Sequence, residues 1–137
     1  MNAGYLIPDS KTIKIVEEYL SKPEYEKGYV LDGFPRTVDQ VKEFSQKIDL
    51  VFYLKVTDKE ALWRLSYRND NLREDETLKA VRKRIELFHK VTEPVIDYYQ
   101  KKNKLFIING EKEIPEVFKQ IDIHLNHLAR IAEDKSK

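Results

Sequence analysis

Leu50-Val51-Phe52-Tyr53-Leu54-Lys55-Val56 carries six apolar or aromatic residues in a run of seven. A strand with one wet face alternates polar and apolar positions. A run apolar on both faces is the habit of a parallel strand covered by helices on both sides. Two further short runs have strand character, Gly28-Tyr29-Val30-Leu31 and Leu105-Phe106-Ile107-Ile108, the latter closed by Asn109-Gly110. Helical patterns separate them. Asp9 or Ser10 is placed to cap a helix with Ile13, Val16, Tyr19 and Leu20 at helical spacing. Thr37 with Gln40, and Thr57 with Glu60, are capping-box patterns. The first predicts a helix with Val41, Phe44 and Ile48 inward; the second predicts one through Ala61, Leu62 and Leu65, with Trp63 in the core.

Leu78, Val81, Ile85, Phe88, Thr92, Val95 and Tyr99 form a stripe three and four apart, one long helix or two, with a kink near Pro94. A last helix offers Ile114, Val117, Ile121, Ile123, Leu125 and Leu128 to its inner face. Alternation of strand and helix predicts an α/β fold with a parallel sheet covered by helices on both faces. In such sheets ligands gather at the carboxyl ends of the strands. Asp32-Gly33, Thr57-Asp58 and Asn109-Gly110 follow the three candidate strands there.

The chain has 137 residues, enough for one domain with one core. Lys+Arg 25 nearly balances Asp+Glu 24, so charge calls for neither nucleic acid nor an anionic membrane. The absence of cysteine excludes a disulfide framework, a thiolate zinc site and a cysteine nucleophile, and fits a reducing compartment. No apolar run reaches membrane-spanning length, and the first residues lack a signal-peptide pattern; the expectation is a cytoplasmic protein. His89, His124 and His127 have no partners at metal-ligand spacing and read as helix-surface residues.

Five of the seven arginines, Arg64, Arg68, Arg73, Arg82 and Arg84, fall in one short region, while Arg36 stands alone after Gly33 and Pro35. The planar guanidinium grips phosphate oxygens bidentately, so such clustering amid evenly spread lysine fits an anionic ligand; a solvated helical face with Glu/Arg pairs is the other reading. For Asp32-Gly33 the competing reading is a hairpin turn. It fails because Pro35 and a capped helix follow in place of a return strand.

Asp32-Gly33-Phe34-Pro35-Arg36 with Gln40 resembles the D-G-F-P-R motif of the nucleoside monophosphate kinases, most closely the adenylate kinases. The resemblance extends along nearly the whole chain. Gly4-Tyr5-Leu6-Ile7-Pro8-Asp9 is similar to the opening of that family's AMP-binding helix. Arg64 and Arg68 resemble its paired arginines before the lid, and Arg73-Glu74-Asp75 with Arg84 those after it. Thr92-Glu93-Pro94-Val95-Ile96-Asp97-Tyr98-Tyr99 is similar to its T-x-P segment, and Asn109-Gly110 with Lys112 to its final loop.

The resemblance implies a P-loop NTPase-like fold, the reaction ATP + AMP = 2 ADP, and AMP, ADP, ATP and Mg2+ as ligands, in a protein that acts as a monomer when complete. By it, Arg36 binds the AMP phosphate with Gly33, Phe34 and Pro35 around it. Gln40 hydrogen-bonds the adenine, and Tyr5, Leu6 and Ile7 line the base pocket. Arg68, Arg73 and Arg84 clamp the transferring phosphoryl group and its neighbours. Arg64 lies along the ATP adenine, Lys112 touches that base, and Asp32 holds Mg2+ through water. Phosphoryl transfer asks mainly for positioning and charge neutralisation, which suits arginine. Relatives taking UMP or CMP carry asparagine where Gln40 follows the adenylate pattern. Gln40 is also the third residue of a capping box, and one side chain serves both purposes at different atoms. Arg82 matches no family position and reads as surface.

The resemblance divides the chain into an AMP-binding helical part (1–27), a core (28–63 and 85–137) and a short lid (64–84). No G-x-x-x-x-G-K-[ST] occurs. The expectation is therefore an incomplete fold without the N-terminal strand and P-loop, with a gap where that strand belongs and little turnover from these residues alone. A noncatalytic nucleotide-binding remnant and a UMP/CMP-type kinase are the alternatives. Only Asn69-Asp70-Asn71-Leu72 separate Arg68 from Arg73, a lid shorter than those of the family's short-lid members, and the absence of cysteine excludes a zinc-carrying one.

Overall fold

The computed structural model describes residues 8–68 and 78–135. Helix α1 spans Asp9–Leu20 and buries Ile13. Neither Asp9 nor Ser10 caps it: Pro8 precedes the first turn, and its carbonyl accepts from the backbone of Lys11 and Thr12. A short 3-10 turn, Pro23–Tyr25, leads to an irregular segment and the Asp32 turn.

Thr37 caps α2, Val38–Glu43, accepting the Gln40 amide at 3.0 Å. The helix is shorter than the apolar spacing implies, because Phe44 leaves helical geometry at φ −68, ψ 118. Phe44 is nonetheless buried, packed edge-on against Phe34 with ring centroids 5.1 Å apart.

Strand β1, Val51–Lys55, pairs in parallel with β2, Leu105–Asn109, in the register Phe52 to Phe106 and Leu54 to Ile108. Between them run α3 (Asp58–Arg68), α4 (Leu78–Leu87) and α5 (Glu93–Lys101); α6 (Ile114–Lys135) follows β2. On one face of the sheet, Phe52 and Phe106 meet the imidazole of His124 from α6, at 6.3 and 4.3 Å between ring centroids. On the other, Tyr53 stacks on Phe88 at 6.1 Å. Helices thus cover both faces, as the unbroken apolar run in β1 requires. Ile108 and Val81 are the most deeply buried large side chains, each 1% exposed, with Val95 and Tyr99 also in the core.

The ambiguity around Pro94 resolves into two α-helices joined by one π-helical turn, Phe88–Thr92. Pro94 has no amide proton for a carbonyl one turn back, and the first turn of α5 is where that loss costs nothing. The wide turn resets the helix ahead of it.

Residues 28–31 belong to no ladder, and Val30 is 95% exposed. The strand expected there does not form among the described residues, because no neighbouring strand offers its hydrogen bonds. Trp63 is not core either: it is exposed and stacks on Tyr67, one turn along α3, at 5.5 Å. On α6, Ile114, Ile123 and Leu125 are exposed, whereas Val117, Ile121 and Leu128 are half-buried. His124, read from sequence as surface, occupies the sheet-facing side.

Candidate functional site

The carboxyl ends of β1 and β2 are cross-braced by polar contacts. Thr57 follows β1 and caps α3 through its hydroxyl, 3.3 Å from the Glu60 amide. In a capping box Glu60 would return the favour to the Thr57 amide. Instead Glu111, from the loop after β2, accepts both the Thr57 amide and its hydroxyl, each at 2.8 Å. These bonds hold the Glu111 carboxyl below the usual carboxylate range, the backbone donor most strongly, with smaller help from the Thr57 hydroxyl and the charge of Arg64. Glu60 is left to pair with Arg64 at 2.6 Å, while Arg64 Nη1 donates to the carbonyl of Gly110 at 2.9 Å. Arg64 and the Asn109-Gly110-Lys112 loop are therefore brought together; Lys112 Nζ itself lies 3.8 Å from Glu116. Beside them is an open depression of about 570 Å3 lined by Thr57, Lys59, Glu60, Trp63 and Glu111.

Helix α5 runs back along the sheet, so its start lies at the same edge. His89 Nε2 is 2.8 Å from Asp58, the residue opening α3, and its Nδ1 is 2.9 Å from Glu93. Hydrogen bonding to Glu93, then to Asp58, raises the His89 pKa. One turn on, the Thr92 hydroxyl donates to the Arg36 carbonyl at 3.0 Å and so brings the Asp32-Gly33-Phe34-Pro35-Arg36 turn to this edge.

Within that turn the Phe34–Pro35 peptide is cis, and Gly33 has φ +77. Arg36 folds back so that Nε donates to the Gly33 carbonyl at 2.6 Å. A Cβ on Gly33 would stand 2.8 Å from Arg36 Nη2. Glycine is thus favoured by the left-handed backbone, and a Cβ here would displace the guanidinium.

Gln40 is 3% exposed and Thr37 8%. Buried polar groups need partners. Gln40 Oε1 accepts the Arg36 amide at 2.6 Å, one residue before the cap rather than at the cap as a capping box would have it. Gln40 Nε2 donates to Asp9 Oδ1, and the Thr37 hydroxyl donates to Asp9 Oδ2, both at 2.8 Å. The carboxylate read as a helix cap instead ties α1 to the start of α2.

The structure brings Arg36, Gly33, Phe34, Pro35 and Gln40 into one turn, with Asp32 exposed ahead of it, and Arg64 and Lys112 into another. Arg84 lies on α4, exposed, and Arg68 ends α3. Tyr5, Leu6, Ile7 and Arg73 lie outside the described residues. Of the segment 64–84 expected as a lid, the described parts are the end of α3 and the start of α4. A second depression, about 250 Å3 between α2 and α5, like the first includes neither Arg36 nor Gln40. Among the described residues no cluster of acidic or histidine side chains forms a metal cage, and no helix is long and apolar enough to cross a membrane. Sequence reasoning missed Asp9, Thr92 and Glu111 as organising residues. Their signal was only a polar residue inside a motif segment, for Asp9 and Thr92, or within the final loop, for Glu111.

A parallel sheet under helices, with an arginine-bearing turn and a second arginine braced over the loop after β2, fits a nucleotide phosphotransferase of the nucleoside monophosphate kinase class. The family model described as adenylate kinase matches residues 1–104. An adenylate kinase of Archaeoglobus fulgidus is 35% identical over 163 aligned residues, covering 93% of this chain and 75% of its own. One of Azobacteroides pseudotrichonymphae is 38% identical, covering 95% and 72%, and one of Caldicellulosiruptor bescii 34%, covering 88% and 73%. The chain belongs to the adenylate kinase family.

Proposed function

We propose that the Arg36 turn is the AMP site of a kinase that exchanges a phosphoryl group between ATP and AMP. The observation that carries this is the division of labour at the turn. The backbone of Arg36 is held at both ends, by Gln40 and Thr92, and its guanidinium lies exposed on the Gly33 carbonyl. A cation so placed meets a phosphate with little further ordering, and positioning is what phosphoryl transfer needs. Gln40 then stands four residues on to read the base, and the backbone of Tyr5, Leu6 and Ile7 completes its pocket. Arg68, Arg73 and Arg84 neutralise the transferring group. Arg64 and Lys112 serve the ATP base beside the Gly110 loop.

Mg2+ binds such sites through one or two carboxylates, water and substrate phosphates rather than a protein cage. The exposed Asp32 carboxylate, in a chain whose described residues form no cage, fits an ion held through water. When bound, the ion neutralises charge between the phosphates. The reading extends to a cytoplasmic monomer acting on free nucleotides.

Calorimetry tests the assignment directly. Arg36→Ala weakens AMP binding at least tenfold, the worth of one charge-assisted hydrogen bond, and leaves ATP binding unchanged. Equal loss of both nucleotides sinks it. A second reading, AMP binding without transfer by these 137 residues, is favoured by the lack of any G-x-x-x-x-G-K-[ST] in them. A coupled ADP assay of the chain separates the two readings: robust turnover excludes the second.

A further inference from the structure

We infer that Asp9 is a positioning residue for base selectivity: it locks the orientation of the Gln40 carboxamide, so that the site takes a 6-aminopurine nucleotide and rejects a 6-oxopurine one. The inference rests on the AMP-site reading above and deepens it.

A free carboxamide rotates by half a turn and exchanges its donor and acceptor at small cost. That of Gln40 cannot. The Arg36 amide, which can only donate, faces Oε1 at 2.6 Å, and an Asp9 carboxylate oxygen accepts from Nε2 at 2.8 Å. The second Asp9 oxygen accepts a hydrogen bond from the Thr37 hydroxyl at 2.8 Å, which turns the Thr37 lone pairs toward the Gln40 amide at 3.0 Å. Asp9 thereby fixes both the side chain of Gln40 and the cap of the helix that carries it. The amide assignment needs no ambiguous partner, because rotation would set donor against donor at Arg36 and acceptor against acceptor at Asp9.

Among the described residues this leaves Gln40 one N–H on Nε2 and one lone pair on Oε1. An adenine edge offers an acceptor at N1 and a donor at its 6-amino group, matching that pair. Hypoxanthine offers a donor at N1 and an acceptor at O6, the reverse. A carboxamide free to rotate serves either base; one held in a single orientation serves one.

The test compares AMP with IMP, which differ at the base only in this edge, by calorimetry on the full 137-residue chain and on Asp9→Ala and Asp9→Asn, with thermal unfolding as a check of fold. Wild type prefers AMP. Asp9→Ala lowers the AMP-to-IMP affinity ratio by roughly tenfold, about the value of one hydrogen bond to a charged group. Asp9→Asn, which keeps the volume and one acceptor, lowers it less and carries the test if the alanine variant does not fold. Because the readout is a ratio, a purely structural role for Asp9 predicts equal loss for both nucleotides. That outcome, or an unchanged ratio in a folded variant, overturns the inference and leaves the AMP site standing. Failure of the wild-type chain to bind AMP overturns both.

Discussion

Gly33→Ala probes the Arg36 turn at its tightest point. Alanine at φ +77 costs about 1–2 kcal/mol in backbone strain. The new Cβ would meet Arg36 Nη2 at 2.8 Å, closer than carbon and nitrogen tolerate, but the obstacle is the far end of a flexible side chain. The guanidinium therefore moves and gives up its bond to the Gly33 carbonyl, an exposed contact worth about 0.5–1.5 kcal/mol. The expected loss of stability is thus roughly 1.5–3.5 kcal/mol, read as a lower urea midpoint with unchanged slope. The functional loss should be larger than strain alone produces, because the displaced cation is the proposed phosphate ligand: AMP affinity falls about tenfold to a hundredfold. Gly28→Ala is the control. Its φ of +139 also strains alanine, yet no atom lies within 4 Å of the added Cβ, so it costs stability and spares AMP binding. Wild-type AMP affinity in a destabilised Gly33→Ala would refute the link between this glycine and the guanidinium, and equal loss in Gly28→Ala would show the effect to be global.

Ile108→Ala opens a cavity at a side chain 1% exposed and should cost about 2–5 kcal/mol, a large share of a small domain's stability; a loss below about 1 kcal/mol in urea unfolding would show that this sheet is not the core. His89 gives a pH signature. Its pKa is raised by Glu93 and Asp58, so its contribution to stability is full below the unfolded value near 6.5 and is lost as pH rises through the folded value. Melting curves across this range should show wild type losing stability relative to His89→Gln as pH rises, and a constant difference would count against the bridge.

The alternation of β1, α3 and β2 was legible in the sequence because each depends on its own residues: the apolar run of β1, the Thr57 cap, the Asn109-Gly110 stop. The two helices around Pro94 were legible as a choice, since proline forbids a straight rod but does not say how the break is made. Trp63 and His124 were misplaced for one reason. Helical spacing fixes which residues share a face, but only packing decides which face is covered. Asp9 shows the same limit for polar residues. An acid at the first turn of a helix reads as a cap by local preference, whereas here the unsatisfied Nε2 of a buried Gln40, thirty-one positions away, claims it.

Residues 28–31 carry that argument to the site itself. Gly28-Tyr29-Val30-Leu31 has the composition of a strand, but a strand is a pairing and not a property of four residues. Among the described residues the ladder is absent; the Gly28 amide bonds the Tyr25 carbonyl at 3.1 Å, and beyond it a side chain holds the segment, the Tyr29 hydroxyl donating to the Lys47 carbonyl at 2.7 Å. From there the chain enters the Asp32 turn, where Thr92 and Gln40 grip the Arg36 backbone from two other elements. Arg36, the proposed phosphate ligand, is therefore placed by three side-chain contacts rather than by a sheet. Each is a single hydrogen bond worth about 0.5–1.5 kcal/mol, so the turn is cheaper to distort than anything anchored in β1 or β2. Hydrogen exchange should find the amides of Asp32, Gly33, Phe34 and Arg36 opening well before those of Phe52 to Leu54. Protection of the turn equal to that of the sheet would mean that these contacts act as one cooperative unit with the core.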